Sequence, residues 1–251
     1  MSLLEAVAVM AAGVGAGTIN AVVGSGTLIT FPVLLAVGYG PLTANVSNAL
    51  GIVPGSLSGA WGYRRELRGQ RARVIRYGIA SAVGAGIGAA LLFALPPSAF
   101  EAIVPAMIAL ALVLVVAQPR IARALARRRG GEAPREGGAN VTALALGSGV
   151  YGGYFGAAQG IVLLAIFGIA LPDDLQRVNA LKNVLAMLVN LVAGLVFVVV
   201  ADVAWEAVAL LAAGSAAGGR IGAHVGRRLP PAALRAVIVV VGVTAIVQLL
   251  R

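Results

Sequence analysis

Long apolar stretches, separated by short polar or glycine-rich joints, run through the whole chain. Val74–Leu95, Phe100–Val116, Asn183–Ala201 and Ala232–Leu250 approach or exceed the roughly 20 residues that a helix needs to cross a hydrocarbon core of about 30 Å. The pattern predicts ten helical segments in two sets of five. The first set is A (about Leu3–Val23), B (Thr27–Val37), C (Leu42–Trp61), D (Val74–Leu95) and E (Ala99–Ala117). The second is A′ (Asn140–Ala158), B′ (Ile161–Leu171), C′ (Leu175–Ala201), D′ (Ala204–Ala223) and E′ (Ala232–Leu250). B and B′ are too short to span at about 1.5 Å per residue. A/B and A′/B′ are therefore expected as hairpins or broken helices whose tips lie inside the membrane, with at least six of the other segments spanning fully.

Special residues of the two sets coincide at one offset, 134, through the first three segments: Gly15 meets Gly149, Gly26 meets Gly160 and Asn45 meets Asn179. The expected organisation is a first membrane repeat over 1–117, an Arg-rich polar linker over 118–139 and a second membrane repeat over 140–251. A repeat of half the chain length is a feature of many transporter folds.

Composition supports the membrane class: 60% of the 251 residues are apolar and 11% are charged, against about 25% charged in soluble domains. The lipid bilayer is thus a partner. The formal charge of +10 does not indicate nucleic acid, because 18 of the 19 basic residues are Arg gathered in connectors and near chain breaks. With no Cys and one His there is no disulfide, no expected cofactor and no ligand set for a metal. The stretch from Leu3 has no basic leader and reads as a structural element, not a cleaved signal.

The charges also give orientation. The C–D connector holds Arg64, Arg65, Arg68, Arg71 and Arg73, and the linker holds Arg120, Arg123 and Arg127–Arg129. Both are expected on the cytoplasmic side. The turns at Pro96–Pro97 and Ala201–Trp205 lack basic residues, while the D′–E′ connector carries Arg220, Arg227 and Arg228. C and C′ therefore run in opposite directions, and the expected fold is all-α with two inverted repeats.

Candidate chemistry gathers at the breaks, Gly24-Ser25-Gly26-Thr27 and Ala158-Gln159-Gly160. Backbone that leaves helical geometry within a membrane is buried in protein or lines a polar cavity. A helix that starts after such a break aims N–H groups at the cavity and favours an anion. Close helix packing is the alternative role for such glycines, and it is the expected one for Gly13, Gly15, Gly84 and Gly88. Lys182, the only lysine, either lines a site or snorkels to the interface. Asn45, Asn48, Asn179 and Asn183 offer amide donors to an oxyanion, with interhelical bonding as the alternative and the expectation for Asn190. Asn20 and Tyr154 match in position ahead of the tips.

No carboxylate falls in the middle of a segment; Glu5, Glu66, Glu101, Asp173, Asp174, Asp202 and Glu206 lie near ends, and Glu132 and Glu136 lie in the linker. A carboxylate proton relay is therefore not visible. Gly147-Ser148-Gly149 with His224 is the only trace of an enzyme, a Ser–His pair, and it is a weak one. No enzyme activity is expected.

Gly13-x-Gly-Ala-Gly, Gly24-Ser-Gly-Thr-Leu-x-x-x-Pro32, Gly38-x-x-Pro41-x-x-Ala44 and Asn48 resemble the first half of the TauE/SafE sulfite exporter family, also called the toluene-sulfonate uptake permeases. Gly153-x-x-Gly156-Ala-x-x-Gly160 and Asn179-Ala-x-Lys182-Asn are similar to its second repeat. The resemblance implies a multi-pass protein of the bacterial inner membrane that moves sulfite or small organosulfonates by alternating access. Such a substrate would be held by Gly24, Ser25, Gly26, Thr27, Asn48, Gln159, Gly160, Asn179, Lys182 and Asn183. Ser25 stands where the family often has a run of glycines, and Gln159 where a small residue is usual. Another small anion, a channel, or a non-transporting membrane subunit are the competing readings.

Overall fold

The computed structural model describes residues 1–128, 138–224 and 231–249. Within them lie eleven helices: α1 (Leu3–Val22), α2 (Thr27–Ala36), α3 (Pro41–Gly51), α4 (Val53–Gly62), α5 (Arg71–Ala94), α6 (Pro97–Arg128), α7 (Ala139–Tyr154), α8 (Gln159–Ala170), α9 (Leu175–Val200), α10 (Trp205–His224) and α11 (Pro231–Leu249). The orienting residues Arg129, Arg227 and Arg228, and the linker acids Glu132 and Glu136, fall outside the described residues.

Among the described residues, four helices are long and apolar enough to cross a membrane: Leu3–Val22, Arg71–Ala94, Pro97–Ile121 and Leu175–Val200. The surface shows what these helices face. On α5 the large apolar Ile75, Ile79, Val83, Ile87 and Leu91 are exposed, while the buried face carries Ser81, Gly84, Ala85, Gly88 and Ala89. A water-soluble protein hides its large apolar side chains. Here small residues sit inside and large ones outside, which is the arrangement for helices packed in lipid.

Small residues let backbones approach. Gly13 and Gly17 of α1 interlock with Gly214 and Gly218 of α10; a Cβ on Gly13 would lie 2.9 Å from the Leu211 carbonyl, and one on any of the other three would collide with partner backbone. The same device joins α5 to α7, through Gly84 and Gly88 against Gly149 and Gly153. The packing role expected for Gly13, Gly84 and Gly88 is the one observed. A Cβ on Gly15 would meet only Ile29 Cδ1, at 3.9 Å, so no close approach depends on that glycine.

Helix neighbours follow one rule. α1 packs on α10 as α7 packs on α5; α4 packs on α10 as α9 packs on α5; α2 packs on α11 as α8 packs on α6; and α6 packs on α11. Exchanging the first set of segments for the second leaves these pairings unchanged.

Segment C differs from expectation in being two helices that meet at Ile52. Pro54 has no N–H to continue the ladder. Two backbone groups freed nearby find the hydroxyl of Ser215, which accepts from Gly55 N at 3.1 Å and donates to Gly51 O at 2.8 Å. The break is thus satisfied inside protein, as a membrane interior requires. Segment E is also longer than expected, since α6 continues through Gln118–Arg128 of the stretch read as linker.

The C–D connector is tied to the start of α9. Gln70 Nε2 donates to Arg177 O at 3.0 Å, and Arg177 Nη1 donates to Arg68 O at 3.1 Å. Asp173, in the loop before α9, pairs with Arg177 at 2.7 Å and also with Arg73. Burial pushes the Asp173 carboxyl up, but hydrogen bonds from Arg177 and Arg73 outweigh it and hold the group below the usual carboxylate range.

Candidate functional site

α2 and α8 have 10 and 12 residues, about 15 and 18 Å at the usual helical rise. Neither crosses a bilayer alone, and each folds back on the helix before it: α2 on α1, α8 on α7. The turns that allow this place Gly24 at φ 87° and Ala158 at φ 58°. These two positions are related by the repeat offset. Glycine takes that conformation freely; for alanine it stores of the order of 1–3 kcal/mol, strain of a kind that clusters at functional sites.

The two tips meet each other. Gly160 N donates to Gly24 O at 3.1 Å, and a Cβ on either glycine would strike the backbone of the other. Gly26 lies as closely on its own hairpin, where a Cβ would be 2.6 Å from Ala16 O.

Each hairpin's first helix ends in carbonyls without partners in its own ladder, and the opposite half supplies donors. From α9, Asn179 and Asn183 donate to Ala21 O at 3.1 and 3.2 Å, and Lys182 Nζ donates to Asn20 O at 3.0 Å. From α3, Asn45 Nδ2 donates to Tyr154 O at 3.0 Å. Asn20 and Tyr154 therefore serve the tips through their main chains. The Asn20 side chain adds a second link, accepting from Gly26 N at 3.4 Å and donating to Ser56 Oγ at 3.2 Å.

Lys182 is 0% exposed, so it does not snorkel. Asn48, its counterpart at the repeat offset, donates to Thr27 Oγ1 at 3.3 Å and accepts from Thr30. Ser25 is 1% exposed, and among the described residues its hydroxyl has no hydrogen-bond partner; the same holds for Asn179 Oδ1. Every candidate at the tips is buried: Gly24, Ser25, Gly26, Thr27, Asn48, Gln159, Gly160, Asn179, Lys182 and Asn183.

Gln159 is turned differently from the rest. Its side chain lies over Gly152, and Nε2 donates to Ser148 O at 3.0 Å, so the amide nitrogen is engaged within its own hairpin. Asn190 donates to Ala186 O in its own helix at 2.8 Å, which corrects the expected interhelical bond. Among the described residues the Ser148 hydroxyl has no partner, while the His224 ring contacts Arg220 O, so the two form no dyad.

Thr30, Ser56 and Ser215 complete this buried polar network without having stood out in the sequence. Small hydroxyls on apolar helices carry no spacing signal. Only Pro54, which breaks the helix that Ser215 then repairs, marked the place.

Spaced glycines, paired tips and amide-capped helix ends extend over both halves, and so does the family match: the sulfite exporter TauE/SafE family covers residues 9–249. The chain belongs to the TauE/SafE sulfite exporter family. It is accordingly a multi-pass membrane protein of a sulfite exporter-type transporter family. No curated protein and no solved structure matches the chain.

Proposed function

We propose that this TauE/SafE protein carries sulfite or a small organosulfonate anion across the bacterial inner membrane, by alternating access around the two hairpin tips. The observation that carries the reading is the contact of Gly24 with Gly160. Two interrupted helices meet end to end in the protein interior, where irregular backbone is tolerated only if it is buried or lines a cavity.

Most helix-start amides at the tips are engaged within the chain, Gly160 N on Gly24 O and Gly26 N on Asn20 Oδ1, so side chains are the donors that an oxyanion would meet. Ser25 Oγ is a buried donor with no partner among the described residues, and Lys182 brings the only lysine charge. A sulfonate has three equivalent acceptor oxygens for such groups. Thr27, Asn48, Asn179 and Asn183 set the positions of these donors through the bonds given above. Gln159 contributes by holding its hairpin closed.

The pairing of helices that survives exchange of the two halves supports an inverted repeat, and the Arg-rich C–D connector and central linker then lie on the cytoplasmic side. Rocking one set against the other about the glycine contact would open the site to either face in turn.

Thermal stability of the detergent-purified protein tests the assignment against sulfite, sulfoacetate, taurine, sulfate, acetate and chloride. A ligand that binds only the folded state at a hundredfold excess over Kd adds about 2.7 kcal/mol. A rise in Tm selective for sulfite or a sulfonate is expected. A rise selective for chloride or acetate would transfer the site to another anion, and no rise with any of them would remove the anion reading.

A further inference from the structure

Lys182 poses a question of charge. Its side chain is wholly buried, and among the described residues its one hydrogen bond goes to a neutral carbonyl, that of Asn20. α9 packs against α1, α3, α4, α5, α7 and α8. The charged or titratable groups on those helices are Glu5 at the opposite end of α1, Arg71, Arg73, Arg76 and Tyr77 in the first turns of α5, and Tyr151 and Tyr154 on α7; α3, α4 and α8 have none. On α9 itself there is Arg177. The two acids just before α9 are engaged elsewhere, Asp173 by Arg73 and Arg177 and Asp174 in capping the helix. Among the described residues, no carboxylate pairs with Lys182.

An ammonium without a counter-charge in such an interior costs several kcal/mol, and so does an unaccompanied anion. Together they are neutral. We propose that Lys182 is the proton-coupling residue of the carrier, so that anion and proton cross together. This rests on the anion-carrier reading above.

On loading, a solvent proton bonds to the Lys182 amine nitrogen as the anion enters, giving an ammonium–anion pair. On release the N–H bond breaks and the proton leaves with the anion. The empty site crosses with the amine unprotonated. Both legs are electroneutral, and no carboxylate relay is needed. That accounts for a chain in which no acid falls in the middle of an apolar segment. The Asn20 carbonyl holds the amine beside the first tip, since the Asn20 side chain accepts from Gly26 N.

The test uses the purified protein in proteoliposomes loaded with methanesulfonate, whose sulfonate carries no proton of its own near neutral pH. A pH dye is enclosed, and potassium with valinomycin sets the membrane potential. As methanesulfonate leaves, the lumen should turn alkaline by about one proton per anion, the proton uptake that binding is linked to. The rate should not respond to the imposed potential. Efflux without a change in lumen pH, accelerated by an inside-negative potential, would overturn the coupling and leave the anion carrier standing. No efflux above that of protein-free vesicles would overturn both. Lys182→Arg keeps its charge at every accessible pH, so its efflux should lose the proton and become sensitive to potential. Full proton coupling in that variant would also overturn the proposal. Where Lys182→Arg does not fold, the two wild-type readouts decide alone.

Discussion

Gly24 and Gly160 lie backbone to backbone: the amide of Gly160 donates to the Gly24 carbonyl at 3.1 Å, and neither position has room for a Cβ. The contact joins residues from opposite halves of the chain at the ends of two helices that cannot span. The nearby buried side chains then converge on one place.

Gly160→Ala should separate the tips. The obstacle is backbone, which yields poorly, so the cost should match or exceed the 1–3 kcal/mol, roughly, of ordinary overpacking. A lower Tm and loss of transport are expected. Gly86→Ala and Gly147→Ala are the controls, because a Cβ there meets nothing within 4 Å. Equal tolerance of all three would remove the tip contact from the account.

Ser25→Ala separates binding from folding. Among the described residues the hydroxyl has no partner, so its removal breaks no hydrogen bond and should leave stability unchanged or raise it by up to about 1–3 kcal/mol, the cost of a buried unpaired polar group. The Tm rise produced by sulfite or a sulfonate should shrink sharply. A large loss of stability with an intact ligand response would make Ser25 structural.

Asn45→Ala and Asn179→Ala remove matching caps with unequal consequences. Asn45 is the side chain that bonds Tyr154 O, whereas Ala21 O also receives Asn183. Losing the first cap leaves a buried carbonyl unpaired, at about 1–3 kcal/mol. Losing the second should cost less. Denaturation midpoints of the two variants check the order.

Acid should loosen the tie between the C–D connector and α9. The folded Asp173 carboxyl titrates below its ordinary value of 3.8, so the unfolded chain binds more protons in that window. Its stabilising contribution is complete above the unfolded value and is lost as pH falls through the folded one. Tm should therefore drop more steeply with acid in the wild type than in Asp173→Asn. Identical slopes would show that the Asp173–Arg177 pair does not contribute.

Much of this was legible in the chain. Short B and B′ between glycine-rich breaks indicated hairpins, and the lone Lys182 in an apolar run stood out, with lining a site and reaching the interface both open. The break at Ile52 was not read, although Pro54 was its signal, because C was long enough to pass as one helix. The continuation of α6 past Ala117 was hidden by Arg and Gln, which suit a helix end as well as a linker. The direction of Gln159 is a matter of contacts: a long amide between small residues can face a cavity or, as here, fold over Gly152. The cross-half caps depend on which carbonyls remain free, and sequence spacing does not encode that.

Counterflow in proteoliposomes tests the central claim most directly. Vesicles preloaded with unlabelled methanesulfonate or sulfite are diluted into a trace of the sulfur-labelled anion. A carrier with one alternating site should accumulate label transiently above equilibrium, with saturation, and Gly160→Ala should abolish the overshoot. Label that enters only to equilibrium without saturating, or no faster than in protein-free vesicles, would contradict a carrier site at the hairpin tips.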